Sequence, residues 1–266
     1  MNILHLSTYA DTGGAGRAAY RLHNALLNNG IDSRMRVLYK GGNDKRIISG
    51  TGPRPGIIKR QILKQQRRWY KYCQQGWKTD NPVLHTFGKI SANLVDELND
   101  CDADILHLHW VTNMLSISDI GRLKKPLVWT LHDMWSFCGG EHYVPDESDS
   151  RFREGYVPEN RVAGELGPDL NRRAWELKRR AWASQRFTLI SPSNWLAACA
   201  IDSQLFKGMP IYVIPNPIDT EIWRPINQDV ARTALDLPRN KKLILMGAVG
   251  GIRDPRKGCL LYTSPS

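Results

Sequence analysis

Histidine residues stand where two apolar runs of the sequence end. The run DILHLHW contains His107 and His109, and the run VWTLHDMWSF contains His132 and Asp133. Residues two apart in a strand share a face, so His107 and His109 should project from the same side. We expect His107 to pack within a sheet, and His109 to bind a ligand at the carboxyl end of its strand. His132 and Asp133 are the predicted catalytic residues, because an imidazole there can hydrogen-bond or exchange a proton with a ligand hydroxyl group.

The residues after His132 favour a carbohydrate ligand. Trp135 and Phe137 follow it, and aromatic rings suit the apolar faces of sugars. The alternative is an ordinary turn in which Asp133 caps local backbone.

A glycine-rich loop follows the first apolar run. The segment DTGGAGRAA matches the pattern G-x-G-x-x-A, and Gly13, Gly14 and Gly16 would let backbone N–H groups approach a phosphate at a helix N-terminus. Arg17 would assist in binding an anionic substrate. A dinucleotide site is disfavoured because residues 37–40, at the end of the second strand, contain no carboxylate for the ribose. A tight turn without a ligand is the other alternative.

A second motif of glycines and cations follows the last apolar run. The segment GAVGGIRDPRKG carries Arg253, Arg256 and Lys257, and fixed cations beside glycines suit a diphosphate. The alternative is a solvated basic loop.

The segment 57–78 carries seven basic residues and no acidic one. Such a basic amphipathic helix with aromatic residues is typical of docking on an anionic membrane. Alternatives are a solvated helix face and, less favoured because no binding motif accompanies the charge, a nucleic-acid surface. A smaller basic run, 178–180, is offset by Glu176 and should face solvent. The predicted membrane-docking residues are Arg60, Lys64, Arg67, Arg68, Trp69 and Lys71.

Short apolar runs alternate with helix-length segments, which predicts a Rossmann-like α/β fold with a parallel sheet and helices on both faces. Helices are expected over 16–29, 169–186 (with Asp169 as cap), after Ser193, and over 227–235. The long segment 133–168 is expected to be a functional loop. Strands are expected near 2–7, 33–39, 104–110, 126–132, 187–191, 211–214 and 242–247.

Composition excludes several classes of protein. The 266 residues carry 37 Lys and Arg against 26 Asp and Glu, without an apolar run long enough to span a bilayer. Five cysteines form no C-x-x-C pair, which argues against a disulfide framework or structural zinc and favours the cytosol. The H-x-H pair has no third ligand at suitable spacing, so no bound metal is expected there.

Three segments with different origins are predicted. Residues 1–220 form a first Rossmann-like domain, and residues 221–258 form a linker and the first strand and loop of a second Rossmann-like domain. The last eight residues, CLLYTSPS, resemble a translated sequencing adaptor, so residues 259–266 are expected to be non-native and the second domain to be cut short.

Six motifs in order resemble bacterial glycosyltransferases of family 4, which have the GT-B architecture. The resemblance is strongest to the subgroup that assembles exopolysaccharide, colanic-acid-type or lipopolysaccharide chains. The motifs are GGAGRAA, LHLHW, WTLHDMWSFCGGEHY, SPSNWL, VIPNPIDTEIWRP and DPRKG.

The resemblance implies a hexosyltransferase-type enzyme that needs no metal and uses a nucleotide sugar as co-substrate. It would transfer the sugar with retention to a lipid-linked oligosaccharide, at the inner face of the cytoplasmic membrane. Gly14 and Arg17 would contact a phosphate, His132 would lie beside the reacting sugar, and Lys257 with a nearby arginine would neutralise the leaving diphosphate. A fragment without the donor domain should be inactive.

Two other functions remain open on the residues alone. One is a nicotinamide-dependent oxidoreductase, and the other is a non-catalytic module that binds carbohydrate or membrane.

Overall fold

The computed structural model describes residues 1–53 and 56–245, without some side chains of one helix, Ile57–Gln75. The chain forms two compact units, Met1–Ile218 and the residues from Asp219 onward. The strands are β1 (Asn2–Tyr9), β2 (Asp32–Tyr39), β3 (Ile47–Ser49), β4 (Ile105–Leu108), β5 (Leu127–Thr130), β6 (Phe187–Ser191) and β7 (Ile211–Val213). The helices are α1 (Gly13–Asn28), α2 (Ile57–Gln75), α3 (Val95–Asp100), α4 (Ile117–Ile120), α5 (Arg151–Glu154), α6 (Leu170–Ala181), α7 (Asn194–Asp202) and α8 (Gln228–Ala234).

The first unit is a Rossmann-like α/β domain, as the sequence predicts. Its described strands form one sheet in the order β3-β2-β1-β4-β5-β6-β7, and every pairing is parallel. The chain builds outward from β1 through β2 to β3 and then returns to β4, on the other side of β1. The carboxyl ends of β1 and β4 therefore flank the switch point, where open parallel sheets bind their ligands.

The two faces of the central strands differ in chemistry. Leu4 and Leu6 of β1 lie with Leu106 and Leu108 of β4 in the large apolar core. On the opposite face of the same strands, His5, Ser7 and His107 are polar yet buried, since side chains alternate between faces along a strand. Helix α1 packs near β1 and β2 through small residues, and its buried members are Gly16, Ala18, Ala19 and His23.

The structure departs from the predicted elements in several places. Residues 242–245 form no strand, and 246–247 lie outside the described residues. Helix α6 is shorter than predicted, although its cap is confirmed: the Asp169 carboxylate accepts from the Arg172 amide at 2.9 Å. Strand β3 and helices α3 and α4 were not predicted, because each is too short to show a period.

The second unit contains helix α8, which the sequence predicts. The side chain of Asn227 caps it by accepting from the amides of Asp229 and Val230. Across the described parts of both units, no helix combines the length and apolar character needed to cross a bilayer.

Candidate functional site

Three loops leave the carboxyl edge of the sheet beside the switch point. We call them the glycine loop (residues 10–17, after β1), the β4 loop (residues 109–112) and the β5 loop (residues 131–142). The end of β1 is joined to the β4 loop by hydrogen bonds from Thr8, whose amide donates to the Trp110 carbonyl at 2.8 Å and whose hydroxyl donates to the Thr112 carbonyl at 2.6 Å. The β4 and β5 loops line one narrow cleft, which includes Trp110, His132 and Asp133.

The glycine loop is open to solvent where the sequence predicts a phosphate. Gly13 has a φ of +69°, and a Cβ on Gly16 would lie 2.9 Å from the Tyr9 carbonyl oxygen, so both positions favour glycine. Gly14 has open space around it. Helix α1 begins here without a side-chain cap or an acidic residue in its first turn. Arg17 is exposed, and the described residues offer it no ion pair.

Asp133 organises the β5 loop. Its carboxylate accepts hydrogen bonds from Trp110 Nε1 at 3.0 Å, the Trp135 amide at 3.0 Å and His142 Nδ1 at 2.6 Å. Burial alone would raise the pKa of Asp133, but these donors outweigh it and hold the pKa below its ordinary value. Asp133 is therefore an anchored carboxylate whose lone pairs are largely occupied.

Lys178 of α6 fixes the same loop from beneath. Its side chain is fully buried and its ammonium donates to the carbonyls of Trp135, Cys138 (2.9 Å) and Gly139 (2.7 Å). The ammonium also lies 4.1 Å from the centre of the Trp135 ring. Burial lowers the pKa of Lys178 to about 7, yet an ammonium group has one donor for each of these three carbonyls. The prediction that this lysine faces solvent is wrong.

Histidines from three strands or strand ends meet beside the cleft. His5 Nδ1 lies 3.0 Å from His109 Nε2, and His109 Nδ1 lies 3.1 Å from His132 Nε2. His107 is packed in the sheet, as predicted, with its Nε2 2.7 Å from the Thr130 hydroxyl. His109 lines the cleft, but it is buried and both of its ring nitrogens have histidine partners, so its contact with a ligand stays a prediction.

These imidazoles are neutral at physiological pH. Burial lowers the pKa of His132 to about 4 against the opposing effect of Asp133. Burial and repulsion from His132 lower the pKa of His107 to about 3. Burial and neighbouring histidines hold the pKa values of His5 and His109 well below the ordinary range. His132 can thus donate or accept a hydrogen bond, but it is not a cation.

His5, His107 and His109 also have the composition of a metal site. One ligand atom from each can be chosen so that all three atoms lie within 4.8 Å of one another. The reasoning from sequence found no third ligand, because His5 lies on a different strand. Two of these nitrogens, His5 Nδ1 and His109 Nε2, are already 3.0 Å apart, as expected for an N–H···N hydrogen bond between the two rings. The absence of a metal remains a prediction.

An exposed aromatic surface borders the glycine loop. Tyr9 stacks on Tyr39 with ring centres 5.3 Å apart and on Trp110 at 6.3 Å. Tyr9 and Tyr39 are 39% and 58% exposed, whereas most large aromatic residues of this unit are buried. The three rings stand at the ends of β2, β1 and β4, which are neighbours in the sheet. We call them the aromatic surface.

The predicted membrane segment forms helix α2, which begins after Gly56 and ends before Gly76. Its described cations Arg60, Lys64, Arg68 and Lys71 are all exposed. The side chains of Arg67 and Trp69 lie outside the described set. The predicted diphosphate residues also lie outside the described residues: Arg253, Arg256 and Lys257.

Residues 12–222 match the sequence profile of Glycosyltransferase Family 4. The chain belongs to glycosyltransferase family 4. The match begins in the glycine loop and contains the β4 and β5 loops, so the site described above lies almost wholly within the family segment.

A solved structure resembles the family 4 chain at low identity. Anabaena Alr3699/HepE, crystallised in complex with UDP and glucose, aligns over 89% of this chain and 50% of its own, with 12% identity and a TM-score of 0.46. The family 4 chain thus spans about half the length of that protein. Comparison with curated protein sequences gives no match.

Sequence reasoning missed several residues of the family 4 site, among them His5, Tyr39 and His142. His5 and Tyr39 lie on other strands than the residues they contact, so only the strand order brings them together. His142 bridges Asp133 and the Thr86 hydroxyl, and its signal was available: it stands in the motif HDMWSFCGGEHY, nine residues after the aspartate.

Proposed function

We propose that this chain supplies the acceptor-binding half of an enzyme that transfers a sugar, with retention, from a nucleotide sugar to a lipid-linked oligosaccharide in cell-surface polysaccharide biosynthesis. Membership of family 4 supports glycosyl transfer. The observation that carries the assignment of a site is the neutral imidazole of His132, held at the cleft beside the anchored carboxylate of Asp133. A neutral imidazole is suited to hydrogen-bonding an uncharged hydroxyl group of a sugar.

The acceptor would lie between the aromatic surface and the glycine loop. The exposed parts of Tyr9 and Tyr39, with Trp110 stacked beside them, offer aromatic surface against which the apolar side of a sugar can pack. Arg17 and the uncapped start of α1 supply positive charge for a phosphate that links the sugar to a lipid. His132 and Asp133 would then stand toward the reacting centre, His132 as the hydrogen-bonding group and Asp133 as the residue that orients the loop.

The donor diphosphate would be neutralised by Arg253, Arg256 and Lys257, as the resemblance implies. Residues 1–220 are proposed as the acceptor domain and residues 221–258 as the start of the donor domain. The reaction then needs no resident metal or organic cofactor, since cations of the protein balance the charge that leaves with the nucleotide.

Transfer is tested with the enzyme expressed from the genomic reading frame that contains residues 1–258. We expect one nucleotide sugar to release its nucleoside diphosphate in the presence of a lipid-diphosphate oligosaccharide, and His132→Asn to lower kcat at least about tenfold. Asp102→Asn is the matched control. Asp102 is an exposed carboxylate that precedes β4, so it lies at the amino-terminal ends of the strands, away from the site. Absence of transfer from every nucleotide sugar, with cofactor binding by a nicotinamide dinucleotide, would contradict the proposal.

Helix α2 is proposed to dock the enzyme on an anionic membrane. Each cation near such a surface contributes about 1 kcal/mol, so the four described cations suffice for reversible docking. The test is co-sedimentation with vesicles of neutral lipid alone or with added anionic lipid, using Lys64→Glu/Arg68→Glu. The control Lys124→Glu/Lys207→Glu changes the net charge equally on other exposed lysines. Equal sedimentation of both variants would remove the proposal.

A further inference from the structure

The contacts of His5, His109 and His132 form a single line of hydrogen bonds. His5 belongs to β1, His109 follows β4 and His132 follows β5, and these strands are neighbours in the sheet. The two links measure 3.0 Å and 3.1 Å, and each joins a δ nitrogen to an ε nitrogen. His107 stacks on His109 with ring centres 4.4 Å apart and fixes the plane of the middle ring.

A line of neutral imidazoles has only two possible proton arrangements. Each neutral ring has one N–H donor and one lone-pair acceptor. His109 uses both nitrogens, so it must donate to one neighbour and accept from the other. Both bonds therefore point the same way: either every ring carries its proton on Nδ1, or every ring carries it on Nε2. The tautomer of His132 is thus tied to that of His5, although the two residues do not touch.

The surroundings of His5 Nε2, at the end of the line away from the cleft, decide which of the two proton arrangements is favoured. His5 Nε2 is buried and has no hydrogen-bond partner among the described residues. With protons on Nε2, this atom would be a buried N–H without an acceptor, which native structures rarely tolerate. With protons on Nδ1, it is a lone pair without a donor. We propose that His5 and His109 are positioning residues that hold His132 in the Nδ1–H form, so that His132 offers a hydrogen-bond donor to an oxygen of the ligand.

The ligand end of this proposal rests on the proposed function. The structure gives the Nδ1 of His132 no hydrogen-bond partner among the described residues, and His132 lines the cleft. The ligand atom that suits an N–H donor there is an oxygen with a free lone pair, either a sugar hydroxyl or a phosphate oxygen. A ligand group that can only donate, such as an ammonium, would not bind there, because His132 Nδ1 in this form carries a proton and has no lone pair to accept a hydrogen bond.

We call the shared Nδ1–H arrangement of His5, His109 and His132 the lock. Nuclear magnetic resonance tests the lock on the 266-residue chain without any ligand. After histidine-selective ¹⁵N labelling, long-range ¹H–¹⁵N correlation distinguishes protonated from unprotonated ring nitrogens. We expect His5, His109 and His132 to show Nδ1–H, each favoured at least about tenfold. His85 is an internal standard, because its Nδ1 donates to the Val83 carbonyl at 2.7 Å in either case. Nε2–H on His132 would overturn the direction.

Two variants of His5 separate positioning from packing. His5→Leu removes the donor, so His132 should become a mixture of tautomers, whereas His5→Asn restores an amide donor and should restore Nδ1–H. If His5→Leu fails to fold, His5→Phe replaces it, since the phenyl ring also lacks a hydrogen-bond donor. An unchanged His132 spectrum in folded His5→Leu would overturn the lock. So would a shift of these nitrogens on adding Zn²⁺, because an ion would then replace the N–H bonds.

Enzyme kinetics connect the lock to the reaction. In the enzyme from the genomic reading frame, His5→Leu should lower kcat with little change in the KM for the nucleotide sugar, and His5→Asn should recover most of it. Failure of transfer in the unsubstituted enzyme would remove the proposed function but leave the tautomer result standing. A full kcat in His5→Leu, with His132 shown to be a mixture, would remove the catalytic relevance of the lock.

Discussion

The β5 loop and the glycine loop flank the same site but are held in opposite ways. Lys178 and Asp133 tie the β5 loop through six hydrogen bonds, three donated by the lysine and three accepted by the aspartate. The glycine loop has exposed Gly14 and Arg17 and an uncapped helix start. One wall of the proposed site is therefore organised by hydrogen bonds within the protein, whereas the other wall leaves its helix start uncapped, where we propose that the acceptor phosphate binds.

The largest effect should come from breaking the anchor of the β5 loop. Lys178→Met leaves three buried carbonyls without a donor, at about 1 kcal/mol or more each, so the free energy of unfolding should fall by about 3 kcal/mol. Urea unfolding measures it. Arg180→Met on the same helix is the control, because that side chain is 72% exposed and its loss should change stability by less than about 0.5 kcal/mol. Equal stability of the two variants would contradict the anchor.

The pH dependence of stability should be nearly as large. The unfolded chain protonates His132 near its ordinary pKa of 6.5, but the folded chain does so only near 4. Protonation therefore favours unfolding between these values, and stability falls as the pH falls through the window. His132→Asn should remove roughly 3 kcal/mol of this loss between pH 6.5 and 4, since one pKa unit corresponds to about 1.4 kcal/mol. If the free energy of unfolding changed with pH by the same amount in the unsubstituted protein and in His132→Asn, the pKa of His132 would not be lowered by folding.

Within the glycine loop, two alanine substitutions should differ. Gly16→Ala brings a Cβ against the Tyr9 carbonyl and should lower the free energy of unfolding by about 1 to 3 kcal/mol. Gly14→Ala meets open space in the first turn of a helix and should be neutral or slightly stabilising. Thermal unfolding of both variants measures the difference. A destabilised Gly14→Ala would mean that this wall is more tightly packed than its exposure indicates.

The smallest effect on stability should be that of Arg17→Ala, within about 0.5 kcal/mol, because the side chain is exposed. Its effect on binding should be larger: affinity for a lipid-diphosphate sugar should fall about tenfold, as expected for one charge-assisted hydrogen bond. Isothermal titration calorimetry measures it, with Arg186→Ala as the matched exposed arginine. If Arg17→Ala lowered stability but not affinity, Arg17 would hold the glycine loop in place and would not bind the ligand.

Much of the first unit could be predicted from the sequence. Apolar runs located six of the seven described strands, and the spacing of His107 and His109 gave their shared face. The partners of these residues could not be predicted, because His5 and His109 are 104 positions apart and meet only through the strand order. Lys178 was also missed: its neighbours Arg179 and Arg180 are exposed, and a basic run does not reveal that one member points inward to backbone carbonyls.

The anchor provided by Lys178 has a consequence for how this loop can diverge among related enzymes. The lysine binds main-chain oxygens, which every amino acid carries, so substitutions at Trp135 or Cys138 need not release it. Gly139 is the exception, because a Cβ there would lie 2.5 Å from the Asn171 carbonyl oxygen. Substitutions in this loop can therefore change its side chains while the path of the backbone is kept.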